Sequence, residues 1–233
     1  MKKSIVLGSC LLAVSSMAIA EDGFKGSVEL GLTFTSGNTN TESTNAKGAL
    51  AYTKGKWTHA AGLEALNVQG DKGRLSEKYT GAAKSVYRFS DKAYAFGTAN
   101  GEHDPFSGYS YQVSGALGAG YRALQKSNMT LDLEAGPGYR ELKLRSGDTN
   151  GEAVLRAGGK FAWTLSKTSE FTQEVNTEIG SDATITKSIT AITAQVVGSL
   201  AMKASLTVKN NSDVPDNVDE TDTETAVTLV YSF

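Results

Sequence analysis

Apolar residues recur at every second position along most of this chain. Phe24, Val28, Leu30, Leu32 and Phe34 point one way, while Lys25, Ser27, Glu29, Thr33 and Thr35 point the other. That period of two belongs to β-strand, in which successive side chains leave opposite faces. Tyr79, Gly81, Ala83, Ser85, Tyr87 and Phe89 alternate in the same way with Lys78, Thr80, Lys84 and Arg88. Tyr111, Val113, Gly115, Leu117, Ala119 and Tyr121 oppose Gln112, Ser114 and Arg122. Leu155, Ala157, Gly159, Phe161 and Trp163 oppose Val154, Arg156, Gly158, Lys160 and Ala162. Breaking the pattern at turn residues predicts twelve strands, at 24–36, 41–53, 57–68, 76–89, 92–102, 110–123, 128–144, 152–164, 169–180, 184–197, 200–210 and 223–233.

The connections are of two kinds. Lys54 to Lys56, Ser90-Asp91, Leu124 to Ser127, Leu165 to Thr168 and Gly198-Ser199 are short. Those between them are mostly longer and polar: Gln69 to Leu75, His103 to Tyr109, Arg145 to Gly151 and Asn211 to Asp222. Gly37 to Asn40 and Ser181 to Ala183 are the short exceptions. Short turns on one rim and long loops on the other predict an all-β fold, a transmembrane antiparallel up-and-down β-barrel of about twelve strands. A soluble sandwich or lipocalin-like barrel would turn its apolar face inward. Here the face opposite the aromatics carries Lys, Arg, Glu and Asp, which is the inverted arrangement that lipid favours.

Aromatic positions add an independent test. Phe24, Tyr52, Trp57, Tyr87, Phe89, Tyr94, Phe96, Tyr121, Phe161, Trp163, Phe171, Tyr231 and Phe233 fall near the short-turn rim or the termini. Phe34, Tyr79, Tyr109, Tyr111 and Tyr139 fall toward the other rim. Two belts of amphipathic rings match the two interfaces of a bilayer.

The N-terminus reads as an export signal: Lys2 and Lys3, an apolar run from Ile5 to Met17, then Ala18-Ile19-Ala20 before the cut. Residues 1–20 are therefore expected to be removed, leaving one barrel domain over 21–233 with no linker. A lipid-modified Cys10 is the alternative, but Ser4 to Ser9 is too short an apolar core for it. The cut also removes the sole cysteine, and with it any disulfide, thiol nucleophile or thiolate metal site. The remaining 21 basic residues stand against 25 acidic ones with no basic block, so no nucleic-acid footprint exists. No mature stretch is long and apolar enough for a membrane helix.

The last strand, Thr223 to Phe233, alternates Val227, Leu229, Tyr231 and a terminal Phe233. This resembles the signal read by the outer-membrane barrel assembly machinery. Ser36-Gly37-Asn38-Thr39 after an apolar first strand, Gly136-Pro137-Gly138-Tyr139-Arg140 in mid-chain and Val230-Tyr231-Ser232-Phe233 at the end form a second likeness. In that order they resemble the salt-induced outer-membrane protein family, whose common domain has no assigned function. The resemblance covers essentially the whole mature chain. It implies a barrel in the outer membrane of a Gram-negative cell, in contact with its lipid and lipopolysaccharide, and transfers no catalytic residues.

Inward charges are the candidate chemistry: Asp132, Glu134 and Arg140 on the seventh strand, Glu152, Arg156 and Lys160 on the eighth, and Glu170, Glu174 and Glu178 on the ninth. A hairpin about Ser166-Lys167 sets Lys160 diagonal to Glu170 and Glu174, and Arg156 near Glu174 and Glu178. Such charges form either an ion-selective constriction or an internal salt-bridge network that fills the lumen. Side chains just fill eight strands, and sixteen leave a channel, so twelve lies between. The network is the favoured reading. A phospholipase needs a histidine base, and only His59 and His103 exist. His59 faces lipid beside Trp57 with no serine clearly against it; His103 sits in a loop near Ser107 and Ser110. The acidic loop with Asp213, Asp216, Asp219, Glu220 and Asp222 matches no calcium loop. Gly136, Gly138, Gly158 and Gly159 lie on strands without a following helix, so they form no phosphate cradle. The expected role is structural or envelope-maintenance in a salt or osmotic response, without enzymatic activity or cofactor. A narrow passive pore is the alternative.

Overall fold

A computed structural model describes residues 22–35, 41–70, 73–103, 109–144, 147–213 and 220–233. Residues 1–20, expected from the sequence to be an export signal, lie outside these. Twelve strands follow in chain order: β1 (Gly23–Thr35), β2 (Thr41–Lys54), β3 (Trp57–Gly70), β4 (Gly73–Arg88), β5 (Ala93–His103), β6 (Tyr109–Gln125), β7 (Met129–Leu144), β8 (Thr149–Ser166), β9 (Ser169–Ile179), β10 (Thr184–Val197), β11 (Leu200–Asn211) and β12 (Thr221–Ser232). Each pairs antiparallel with its chain neighbours, and β1 pairs with β12 to close the barrel. Closure leaves no open sheet edge.

The predicted strands match in number, order and placement. The largest differences lie at the long-loop rim. Position 69–75 is expected as a loop, but β3 runs on to Gly70 and β4 starts at Gly73, with a bulge between Val68 and Gln69. Pairing simply continues beyond the apolar band until the chain has to reverse.

Face assignments follow the period of two. Phe24, Leu30, Leu63, Leu117, Leu133, Tyr139, Leu155 and Trp163 are exposed on the outer surface. Lys78, Arg122, Arg140 and Arg156 are buried in the lumen. On the outside Phe24 on Tyr52 and Trp57 on Tyr87 pair across strands, and Phe89 meets Tyr87 edge-on along the chain.

Two aromatics depart from the expected belt. Tyr94 and Phe96 turn into the lumen, where they are 6% and 4% exposed and pack with Val86. They lie over glycines directly opposite, Gly120 beneath Tyr94 and Gly118 beneath Phe96. A Cβ at Gly120 would come within 2.1 Å of the Tyr94 ring, and one at Gly118 within 2.8 Å of Phe96. Glycine gives the rings room, and the rings cover backbone that a bare glycine would expose.

The tightest approach is between β6 and β7. Pro137 has no N–H to donate to the ladder, and pairing is interrupted between Ala116–Gly138 and Ala119–Ala135. There a Cβ on Gly136 would sit 2.0 Å from the Leu117 carbonyl oxygen and 2.5 Å from the Gly118 Cα. Backbone cannot step aside as a side chain can.

The end of the chain completes the ring. Gly26 and Phe233 exchange both backbone hydrogen bonds, at 2.8 and 2.9 Å. The Phe233 ring covers the outer side of Gly26, where a Cβ would meet it at 2.5 Å.

Two outcomes test this packing. Gly136→Ala is expected to lower the unfolding midpoint well below that of Gly101→Ala, where an added Cβ meets nothing within 4 Å; equal midpoints would contradict the close approach. Deleting Phe233 removes the last pair of the β1–β12 seam. It is expected to reduce the fraction of folded, heat-modifiable barrel on a denaturing gel run without boiling, and an unchanged fraction would show that the seam does not need it.

Candidate functional site: the charged lumen

Because inward positions alternate with apolar outward ones, the charges of twelve strands share one lumen. Some pair with the neighbouring strand and others reach across intervening ones. At the short-turn end, Arg122 on β6 donates through Nε and Nη2 to Asp132 on β7, at 2.7 and 3.0 Å, in a bidentate fork. Arg88 on β4 lies 5.8 Å from the centre of the Tyr94 ring.

In the middle, Glu134 on β7 is a hub. It accepts from Lys84 on β4 at 2.5 Å, from Arg156 on β8 at 3.1 Å and from the Tyr94 hydroxyl at 3.0 Å. Arg156 also donates to Asn176 on β9. The Phe96 ring sits between the same two cations, 5.4 Å from Lys84 Nζ and 5.2 Å from Arg156 Cζ. One carboxylate and one aromatic face thus serve two positive groups.

Toward the long-loop end, Arg140 on β7 is fully buried. It donates to Glu152 on β8 at 2.5 Å and to the Ala183 carbonyl at 2.8 Å, and it pairs with Glu178 on β9 at 3.5 Å. Lys47 on β2 pairs with Glu64 on β3 at 2.9 Å, and Lys203 on β11 with Glu29 on β1 at 3.1 Å. Glu102 on β5 is bound by Lys78 of the neighbouring β4 at 3.1 Å and by Lys209 of β11 at 3.6 Å. In a ring of twelve, β5 and β11 are opposite walls. The Lys209–Glu102 pair therefore crosses the lumen.

A cavity of about 110 Å³ remains beside this bridge, lined by residues that include Thr80, Asn100, Gln112, Lys187 and Lys209.

All the expected inward charges do face the lumen, but several find other partners. Lys160 stands directly opposite Glu174 rather than diagonal to it, and Arg156 stands directly opposite Glu178. An irregularity between Thr164 and Ser166 shifts the β8–β9 register that the turn alone suggests. Arg156 then turns to Glu134, leaving Glu178 to Arg140 and to Ser114, which donates at 3.1 Å. Glu174 accepts from Asn176 at 3.1 Å, and Glu170 lies opposite Thr164. Sequence reasoning missed Lys84, Glu102, Lys187 and Lys209 as members of this set. Their inward parity was legible, but Lys84 finds Glu134 three strands away and Lys209 finds Glu102 six strands away.

The histidines need one correction. His59 has a serine against it after all: its Nδ1 is 2.8 Å from Ser85 Oγ, directly across the β3–β4 ladder on the outer face. Trp57 stacks on the imidazole at 5.5 Å. The outward neighbours of the pair are Trp57, Ala61, Ala83, Tyr87 and Tyr52, none of them an acid. Position 103 ends β5 on the outer face, opposite Tyr111; Ser107 lies outside the described residues. So do Asp216 and Asp219 of the acidic loop. Among the described residues no group of three or more His, Cys, Asp or Glu is placed to hold a metal ion.

The barrel resembles solved outer-membrane proteins. The NanC porin superposes with a TM-score of 0.58 at 10% identity, over 88% of this chain and 98% of that one. The COG4313 outer membrane channel from Pseudomonas putida F1 gives 0.58 at 12% identity, over 93% and 97%. At these identities the likeness concerns the fold. In sequence, the chain is 28% identical over 226 residues to the Escherichia coli (strain K12) protein described as "Uncharacterized protein YdiY", covering 97% of this chain and 89% of that protein. Residues 28–233 match the family model described as "Protein of unknown function, DUF481", and the chain belongs to that family.

Proposed function

We propose that the protein is a non-enzymatic barrel of the outer membrane, held by lipid and lipopolysaccharide and inserted by the barrel assembly machinery. In this reading it maintains the envelope, and its lumen is closed by ion pairs. The observation that carries this is the Lys209–Glu102 pair between opposite walls. Around it, the Phe96 ring and the Glu134 hub occupy the middle of the barrel. The apolar outer face with its paired rings, and the likeness to outer-membrane barrels, support the location. An osmotic or salt response is the role implied by the family resemblance of the sequence motifs.

A narrow passive pore is the second reading. It is favoured by the likeness to a porin and an outer membrane channel, and by the cavity left beside the cross-lumen pair. The two readings differ in conductance. In a planar bilayer the parent is expected to pass little current. Glu102→Ala removes the acid shared by Lys78 and Lys209, which costs roughly 3–5 kcal/mol where a buried pair is broken from one side. The variant is expected to unfold at lower temperature, conduct more and prefer anions, because two lysines are left facing the water path. A parent that already conducts steadily, with selectivity indifferent to Glu102→Ala, would put the pore reading first.

Catalysis is the third class. His59 and Ser85 are within hydrogen-bond reach, but no acid orients the imidazole, and a lone pair of this kind lacks most of what acyl transfer needs. Phospholipid in detergent is expected to remain intact with the parent. Hydrolysis abolished equally by His59→Ala and Ser85→Ala would overturn the non-enzymatic assignment.

A further inference from the structure

Lys187 on β10 is the outlier of the lumen. Its residue is 6% exposed, and its Nζ has no hydrogen-bond partner among the described residues. It stands opposite a second lysine, Lys209, in the β10–β11 register. Lys47 and Lys78 also act on it through space, against the attraction of Glu64 and Glu102. Those two acids are already engaged: Glu64 holds Lys47 and Asn45, and Glu102 holds Lys78 and Lys209.

The Lys187 side chain lines the cavity of about 110 Å³. Four cations, Lys84, Arg156, Lys187 and Lys209, and three carboxylates, Glu102, Glu174 and Glu178, share its wall. The carboxylates are matched from behind or beside: Glu102 by Lys78, Glu178 by Arg140, and Glu174 by Lys160 across the ladder. Lys84 and Arg156 share Glu134 outside the wall. Lys187 has no such match. A buried ammonium without a counter-charge is unfavourable, and it is relieved either by giving up its proton or by an anion beside it. The cavity's remaining lining includes neutral hydrogen-bonding groups, Thr80, Thr98, Asn100 and Gln112. The space is several times the roughly 10–15 Å³ that admits one water, so a monatomic anion and a few waters fit. Glu102 and Lys209 retain 13% and 14% of their side-chain exposure, so the cavity is not sealed from solvent.

We propose that this cavity is a binding site for a small monovalent anion, a halide in its simplest form, with the Lys187 ammonium as the charged ligand. The site does not depend on whether the lumen conducts. An anion as large as gluconate exceeds the space of about 110 Å³, and the three wall carboxylates oppose a divalent one.

The test is thermal unfolding of the full mature protein in detergent, in sodium bromide and in sodium gluconate at equal ionic strength. Gluconate is too bulky for the cavity. The parent midpoint is expected to rise with bromide concentration relative to gluconate, as it does for any ligand that binds only the folded state. Lys187→Met and Lys187→Gln are each expected to lose that rise, while both fold, since each relieves an uncompensated charge. Crystals grown in bromide are expected to show an anomalous peak within hydrogen-bond reach of Lys187 Nζ in the parent and none in Lys187→Met. Equal parent midpoints in the two salts would overturn the proposal and leave the cavity to water. So would a bromide effect that survives in both variants, or a bromide peak elsewhere in the lumen.

Discussion

Ring closure is the constraint from which the rest follows. Once β1 and β12 exchange hydrogen bonds through Gly26 and Phe233, every strand has two neighbours and no freedom to slip. A slip of one residue in any strand would reverse all its side chains. Closure therefore fixes, for each residue, whether it faces out or in. An outer surface that is apolar from Phe24 to Tyr231 forces the charged set inward from all strands at once. Charges that would be solvated separately on an open sheet are concentrated in one narrow space, and each has to find a partner there or keep water.

Volume then decides what else can enter. With long cations from many strands converging, the lumen has little spare width, and the strands opposite large groups are trimmed to glycine. Gly118 and Gly120 lie under Phe96 and Tyr94, and Gly158 gives way to the Asn176 side chain. The rings in turn do electrostatic work: their faces attract Lys84, Arg88 and Arg156 where carboxylates are too few to give each cation its own. Packing and charge pairing are thus one problem in this barrel, solved with the same residues.

The sequence is legible where information is local. Alternation along β1, β6 and β8 identifies strand, face and approximate ends, because one face is consistently apolar and the other polar. It fails on β5, where Ala93, Ala95, Gly97 and Ala99 alternate with Tyr94, Phe96 and Thr98. Both faces there are weakly apolar, so parity has no signal, and the rings are assigned to the belt they would join elsewhere. On β10 the pattern even inverts: Ile185 is buried inside, and Thr190 outside bonds to Gln173. Partners are harder still. The His59–Ser85 contact depends on the β3–β4 register, and the pairing of Arg156 depends on a β8–β9 irregularity, neither of which spacing along the chain encodes. Lys209 and Glu102 are 107 positions apart and meet only because the ring brings opposite walls together.

The pairing is also unequal from level to level, and that inequality has consequences for what the lumen can contain. Glu134 and Glu102 are each one acid between two cations, whereas Arg140 is one cation between Glu152 and Glu178. A shared acid holds each of its cations less firmly than a dedicated one would, since its charge is divided. The excess of cation is greatest where β4, β10 and β11 bring Lys78, Lys187 and Lys209 toward Glu102, and the excess of acid lies beside it, around Arg140. A field that changes sign over so short a distance favours a small anion held at one point over a chain of like charges passing through. It also means that the bridge between opposite walls is bound to its surroundings electrostatically rather than by packing, so ionic strength acts on it more strongly than on the Phe96–Val86 contact below.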